Sequence, residues 1–353
     1  MPLTLLAPVS LAHVAEQLTR QGLRAPGLEA LLATAHTEVR NETLDGLLGA
    51  ALGIRGAALM PAAVFRLATE AGFIHDRDAY WLCADPVSTT LLIDNALVGG
   101  WVTDLSRTDA DALIDAFNAE FADTGLRFIA PDPSRWYVCC PGDQQIQTTP
   151  LWRAAGNSMR DALPAGADGP QWRARLNAAQ MLLHAHPVND SREAAGQARI
   201  GSLWWWGQGR WPEFGAAQVD RVIGGPRWIQ AACAATGVAH DARASSDGGA
   251  PDLSWLSIDA AERVLCIASG DWQMSATAAD RLLEWDVKWF APLSAALDAG
   301  QLAAATIHFM WADSTLTLAC QAPQRSSWQR WLGLRPKRGE PRSIAVALEG
   351  LQR

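Results

Sequence analysis

The residues best suited to chemistry lie between positions 184 and 227. His184 and His186 stand two apart, and Asn189 and Arg192 follow closely. An arginine fork matches a phosphate or carboxylate through two parallel hydrogen bonds. The cluster therefore reads as a polar pocket for such a group. Its alternative is a helix end whose side chains satisfy local carbonyls. Two histidines do not make a metal site by themselves, because zinc usually takes at least three protein ligands.

Downstream, Trp204-Trp205-Trp206 runs into Gly207-Gln208-Gly209-Arg210. Strand alternation sends Trp204 and Trp206 to one face and Trp205 to the other. These rings either stack on a ligand or pack a core. Gly207, Gln208 and Gly209 either present backbone N–H groups to an anion, with Arg210 beside them, or make a plain turn. Gly224-Gly225-Pro226-Arg227 lies between an expected strand and an expected helix, where N–H groups and Arg227 would attract an anion. The spacing fits neither a phosphate-binding loop with its lysine nor a dinucleotide fingerprint. Asp271 and Asp313 each follow an apolar strand and are candidates to face a cleft. Ser10 and Ser269 have no identifiable base beside them in sequence, so they are poor nucleophiles.

The elements that must position these residues follow from periodicity. Residues 3–8 read as a buried strand, and 11–19, 28–35, 44–52 and 61–71 as helices. The texture changes near 79. Strands are expected at 79–84, 89–93, 126–129 and 136–140, with turn signals at Asn95 and Gly99-Gly100. A helix capped by Thr108 lies among them. Residues 171–184 form a strong helical pattern. From 202 the pattern is strand, strand, helix, with a buried strand at 264–268, a long helix at 278–297, and a hairpin at 306–320.

Bulk composition narrows the function classes. With 49% hydrophobic and 19% charged residues, the 353-residue chain can build a large core, so global disorder is excluded. A net charge of −8 argues against a general nucleic-acid partner. No apolar run reaches membrane-spanning length, and the N-terminal residues lack a signal-peptide pattern. The six cysteines form no CxxC pair, which points to a reduced, cytoplasmic protein. The segment from Trp328 to Arg338 is basic and amphipathic, and either touches a partner or packs its tryptophans on the core.

Three pieces carry a family resemblance: His186-Pro187-Val188-Asn189-Asp190-Ser191-Arg192, then Leu203-Trp204-Trp205-Trp206-Gly207-Gln208-Gly209-Arg210, then Val222-Ile223-Gly224-Gly225. In this order they resemble archaeal-type, cofactor-independent phosphoglycerate mutases of the alkaline phosphatase superfamily. The chain as a whole is similar to the RpfE-type regulatory proteins, a bacterial group. The resemblance implies an alkaline phosphatase-like α/β fold, with a mostly parallel sheet core and helices on both faces. That core would be interrupted by an α+β inserted domain. It would take residues 1–78 and 197–353, and the inserted domain 79–196.

Superfamily chemistry uses two divalent metals about 3.5–4 Å apart, held by clustered Asp and His. The resemblance places an Asp-Gly pair after the first strand, where this chain has Ala7-Pro8-Val9-Ser10. An Asp–Glu–Gly–His stretch is replaced by Ser269-Gly270-Asp271-Trp272, and an Asp-His doublet by His308 through Asp313 without the doublet. The expectation is a non-catalytic regulatory or binding protein that needs no cofactor. Its expected partner is a small phosphorylated or carboxylated metabolite, with no nucleic acid and no membrane. A second expectation is an active Mn- or Zn-dependent mutase or phosphatase with His184, His186, Asp271, His308 and Asp313 converging. A third is a protein-interaction module that uses a Trp-rich surface.

Overall fold

The computed structural model describes residues 3–56, 60–71, 76–91, 96–154, 158–242, 262–268, 278–311, 314–323 and 343–348. In chain order the strands are β1 (Leu3–Ser10), β2 (His36–Arg40), β3 (Tyr80–Leu91), β4 (Ala96–Trp101), β5 (Arg127–Asp132), β6 (Arg135–Cys140), β7 (Ser202–Gly209), β8 (Arg221–Gly224), β9 (Ala239–Asp241), β10 (Val264–Ile267), β11 (Ala304–Trp311) and β12 (Ser314–Gln321). The described residues fall into two compact units. One holds residues up to Ile54 and from Phe214 onward, and the other centres on Arg55–Glu213.

The first unit carries a seven-stranded sheet in the order β2-β12-β11-β1-β10-β8-β9. The pairs β11–β1, β1–β10, β10–β8 and β8–β9 are parallel, whereas β12 and β2 add an antiparallel edge. The fold is thus mixed α/β around a mostly parallel sheet, as expected. Central strands are buried on both faces and read as continuous apolar runs, such as Val264-Leu265-Cys266-Ile267. β2 was not expected. Its sequence His-Thr-Glu-Val-Arg is mostly exposed and lacks a buried face to announce it.

The expected long helix at 278–297 is interrupted. A five-residue π turn, Asp286–Phe290, separates the helix Ala278–Trp285 from Ala291–Ala299. The interruption has a local use. Asp286 accepts the backbone N–H groups of Gly27 at 3.0 Å and Leu28 at 2.7 Å, in the first turn of the helix Pro26–Leu32. A carboxylate there fills orphan donors and matches the helix dipole. Helix and turn approach so closely that a Cβ on Gly27 would lie 2.4 Å from the Ala291 nitrogen.

The second unit carries an antiparallel five-stranded sheet. The two strands expected at 79–84 and 89–93 are one twelve-residue strand, β3, at its centre. One edge of β3 pairs with β6 and then β4, and the other with β7. Gly99 and Gly100 are strand residues rather than a turn. A Cβ on Gly99 would come 2.3 Å from the Ser88 hydroxyl, so close strand approach explains the glycine there. The helix Arg107–Glu120 is capped by Ser106, whose hydroxyl accepts the Asp109 N–H at 3.1 Å, and not by Thr108.

The division differs from the expected 79–196 insertion. β7 joins β3 in antiparallel register, Cys83 opposite Trp206 and Val87 opposite Ser202. The helix Ala62–Leu67 packs on both strands. Residues 55–78 and 197–213 therefore belong with the antiparallel unit. A strand cannot be assigned to a sheet from its own periodicity, and that is why the sequence placed β7 in the wrong one.

Candidate functional site

In open α/β sheets, ligands gather outside the carboxyl ends of the parallel strands. Here that edge is built by β1, β10, β8 and β9. Leu6 pairs with Ile267, Ile267 with Gly224, and Ile223 with Asp241. The Ala268 N–H donates to the Leu6 carbonyl at 2.8 Å. β8 ends in Gly224-Gly225, with φ values of +78° and +86° that a side chain would disfavour. A Cβ on Gly225 would also press on Ile229 at 3.0 Å and Ile267 at 3.2 Å. This turn delivers the chain to the helix Trp228–Thr236, which has no side-chain cap. Arg227 is exposed at its start. Beside it, the His240 ring lies 3.0 Å from the Gly224 carbonyl. Ile229 and Gln230 donate to the carbonyls of Pro226 and Arg227 at 2.9 and 3.2 Å, so what this helix start offers an anion is its positive end and one exposed guanidinium.

At the end of β1, Ala7-Pro8-Val9-Ser10 offers no carboxylate, and Ser10 stands at the N-cap of the helix Leu11–Gln21. Two-metal chemistry asks for clustered Asp and His donors. Among the described residues, no three His, Cys, Asp or Glu side chains come together as a metal-binding group. The described donor set does not fit a metal pair. Asp271, Asp313 and Ser269 lie outside the described residues. His308, on β11, has its Nδ1 2.9 Å from the Thr317 hydroxyl, and burial, with Arg40 adding to it, pulls its pKa down to about 4. It is a neutral core histidine at pH 7.

The cluster at 184–192 occupies the corner between the helices Gly169–Ala185 and Pro187–Ala194. Asn189, 1% exposed, donates to the carbonyls of Leu183 at 2.7 Å and Ile200 at 2.9 Å, and accepts the Ile200 N–H at 2.8 Å. Arg192 donates to the Ala198 carbonyl and to Asp104, at 2.9 and 2.7 Å. His186 caps the second helix by accepting the Val188 N–H, and burial lowers its pKa. His184 is exposed, and its carbonyl accepts from Arg199. The Asn189 amide and the Nε and Nη2 of Arg192 bond to the chain itself, so these groups hold the corner together.

The Gly207–Arg210 segment is also taken up by packing. A Cβ on Gly207 would lie 3.0 Å from that of Ala62, and one on Gly209 2.7 Å from that of Pro61. The glycines therefore admit the segment that enters the helix Ala62–Leu67. Gln208 is buried, bonded to the Thr148 hydroxyl and the Ile146 carbonyl. Arg210 pairs with Asp143. Trp204, Trp205 and Trp206 are all buried, so this strand offers no exposed aromatic surface. Alternation holds: Trp205 packs on Trp172 and Phe128, whereas Trp206 donates to Asp85 at 2.7 Å.

That last bond leads to a network the sequence reading missed. Arg66 donates to both oxygens of Asp85, at 2.8 and 2.6 Å, and to the Tyr137 hydroxyl at 2.9 Å. Tyr137 donates to Glu70 at 2.7 Å, and Glu70 takes Arg135 in a two-point pair. The Arg66 guanidinium lies 4.6 Å from the Tyr137 ring centre, and 5.3 and 5.4 Å from those of Trp101 and Trp206. Burial works against the charge on Arg66, but the groups around it, Asp85 foremost, together outweigh burial and hold the guanidinium protonated. Burial likewise opposes the Glu70 carboxylate, yet Arg135 and Tyr137 keep its pKa below the usual range. The signal was present in the sequence: single charges inside the apolar runs Val64-Phe65-Arg66-Leu67 and Leu82-Cys83-Ala84-Asp85.

No family model matches the chain. Over 112 residues it is 32% identical to the 2,3-bisphosphoglycerate-independent phosphoglycerate mutase of Methanosarcina acetivorans, a match covering 31% of this chain and 28% of that protein. The Methanosarcina mazei protein of the same name is 31% identical over 115 residues, 32% of this chain and 29% of that protein. The chain thus matches under a third of the length of these relatives, and the homology is partial. A solved cofactor-independent phosphoglycerate mutase from Thermoplasma acidophilum aligns at a TM-score of 0.40 and 14% identity, covering 99% of this chain and 98% of that one. A Pyrococcus horikoshii structure aligns at 0.42 and 12%, covering 91% and 87%. No helix among the described residues is long and apolar enough to cross a membrane.

Proposed function

From the partial homology to phosphoglycerate mutases, we propose that this chain is a regulatory or binding protein of the RpfE type. It takes a small phosphorylated or carboxylated metabolite and does not turn it over. The observation that carries this reading is the carboxyl edge of the parallel strands. It keeps an anion-attracting turn, Gly224-Gly225 with Arg227 at the helix start, while the end of β1 lacks the carboxylate that two-metal chemistry would use. The ligand's anionic group sits beside the exposed Arg227 guanidinium, and the positive end of the helix Trp228–Thr236 adds to that charge. Asn189, Arg192 and Gln208 hold the fold of the other unit and do not touch the ligand.

The test is binding of 3-phosphoglycerate to the full chain, followed by calorimetry. Arg227→Ala is expected to weaken binding about tenfold, the effect of losing one charged hydrogen bond. Binding that is equally strong in Arg227→Ala removes the carboxyl edge as the site.

A further inference from the structure

Among the described residues, three arginines are buried: Arg66, Arg175 and Arg192. Arg66 has Asp85, Tyr137 and the Trp136 carbonyl, and Arg192 has Asp104 and the Ala198 carbonyl. Arg175 differs. It lies on the buried face of the helix Gly169–Ala185, beside Trp172, Leu176 and Ala179, and is 9% exposed. Its Nε and Nη1 are both buried and meet no hydrogen-bond acceptor.

Its neighbours do not make up the deficit. The guanidinium stacks on the Trp172 indole, 4.7 Å from the ring centre. Stacking engages the face of the guanidinium, whereas its N–H donors lie in the plane and stay unfilled. Asp168, whose charge reaches Arg175, has its Oδ2 taken by the Gln145 N–H at 2.7 Å. The Cys140 thiol supplies no counter-charge, since burial pushes its pKa up to about 12. Burial also lowers the pKa of Arg175 itself, as for a cation lacking a close partner. Buried charges are normally paired. A water molecule would fill a donor and leave the charge unbalanced. The indole beneath is fixed by its own bond to Gln144 at 3.0 Å, so the guanidinium plane is set in advance.

We propose that Arg175 anchors an oxyanion site within the Arg55–Glu213 unit, taking the phosphate or carboxylate group of a small ligand in the plane of its guanidinium. Nε offers the side-on edge and Nη1 the end-on edge, the two ways in which a guanidinium holds an oxyanion. The site uses no residue of the other unit and does not depend on the reading above. That reading stands or falls with Arg227→Ala, and this one with Arg175, so the two fail separately.

The test uses the full chain with inorganic phosphate and acetate as probes, each compared with chloride at equal ionic strength. Thermal unfolding and calorimetry are the readouts. One probe is expected to give a saturable rise in the unfolding midpoint, and the responding probe identifies a phosphoryl or carboxylate ligand. In Arg175→Leu the affinity should fall about tenfold or more. Without ligand, Arg175→Leu should be at least as stable as the parent, because an unbalanced buried charge is gone. No saturable response to either probe, or an undiminished response in Arg175→Leu, overturns the proposal. So does a folded, ligand-free Arg175→Leu that is clearly less stable, which would make Arg175 structural. Should Arg175→Leu not fold, Arg175→Lys decides. A weakened response upholds the proposal, because lysine lacks the fork, and an unchanged one overturns it.

Discussion

Arg66 and Asp85 form a two-point ion pair at 2.8 and 2.6 Å, with Asp85 fully buried and Arg66 almost so. Asp85 also receives the Trp206 indole N–H, so β7, β3 and the helix Ala62–Leu67 meet at one carboxylate. Removing one partner of such a pair leaves an uncompensated charge in a dry site. Asp85→Ala is expected to destabilise the chain by about 3–5 kcal/mol in denaturant unfolding. A loss under about 1 kcal/mol would mean that water reaches Arg66 and the pair is not buried in solution.

Glycines beside that pair set how near the helix approaches. Gly207→Ala would place a methyl 3.0 Å from Ala62, at a φ of +66° that side chains rarely adopt. Overpacking and backbone strain together predict a loss of about 1–3 kcal/mol. Gly196→Ala is the control for the backbone part. Its φ is +73°, but nothing stands within 4 Å of the new methyl. Equal losses at the two positions would refute the packing explanation.

Much of this was legible in the sequence, and the gaps have physical causes. β1, β10 and the β11–β12 hairpin announced themselves as apolar runs between turn signals. The mostly parallel sheet was what the family resemblance implied, and the pairing of these strands agrees with it. β2 did not, because an exposed edge strand carries no hydrophobic pattern. The sheet membership of β7 was not readable, since pairing with β3 is a long-range choice. At the polar cluster, residue types alone could not separate a ligand pocket from a helix corner. Asn189 and Arg192 have the chemistry for either, and only their bonds to Leu183, Ile200, Ala198 and Asp104 distinguish the two. Arg175 gave no motif at all; its significance lies in donors without acceptors, which only coordinates reveal.

Asn189 supplies a third prediction. Its amide closes three bonds that tie the helix corner to the segment entering β7. Asn189→Ala leaves the buried backbone groups of Ile200 without their side-chain partner and should cost about 1–3 kcal/mol per stranded group. Ligand affinity should stay unchanged in the surviving folded protein. Calorimetry on Asn189→Ala checks this, and a selective loss of binding without loss of stability would return the cluster to the ligand site.

His308 makes the stability depend on pH in a defined direction. Its folded pKa is about 4, against an ordinary value of 6.5. As pH falls below 6.5 the unfolded chain takes up this proton first, and the folded chain only near 4. This contribution is therefore complete above pH 6.5 and declines as pH drops toward 4, by at most ~1.4 kcal/mol per pH unit. His308→Gln, which retains a partner for Thr317 and does not titrate, should flatten the stability profile between pH 6.5 and 4. An unchanged slope would assign the acid sensitivity to other groups.

The central claim is that the chain binds an anionic metabolite without metal-assisted turnover. The most direct measurement is calorimetric titration of chelator-stripped full chain with Mn²⁺ and then Zn²⁺, with phosphoglycerate mutase and phosphatase assays on the loaded protein. The account predicts no tight uptake of two metal ions and no turnover, while 3-phosphoglycerate still binds in the absence of metal. Tight binding of about two ions per chain, accompanied by turnover, would contradict it.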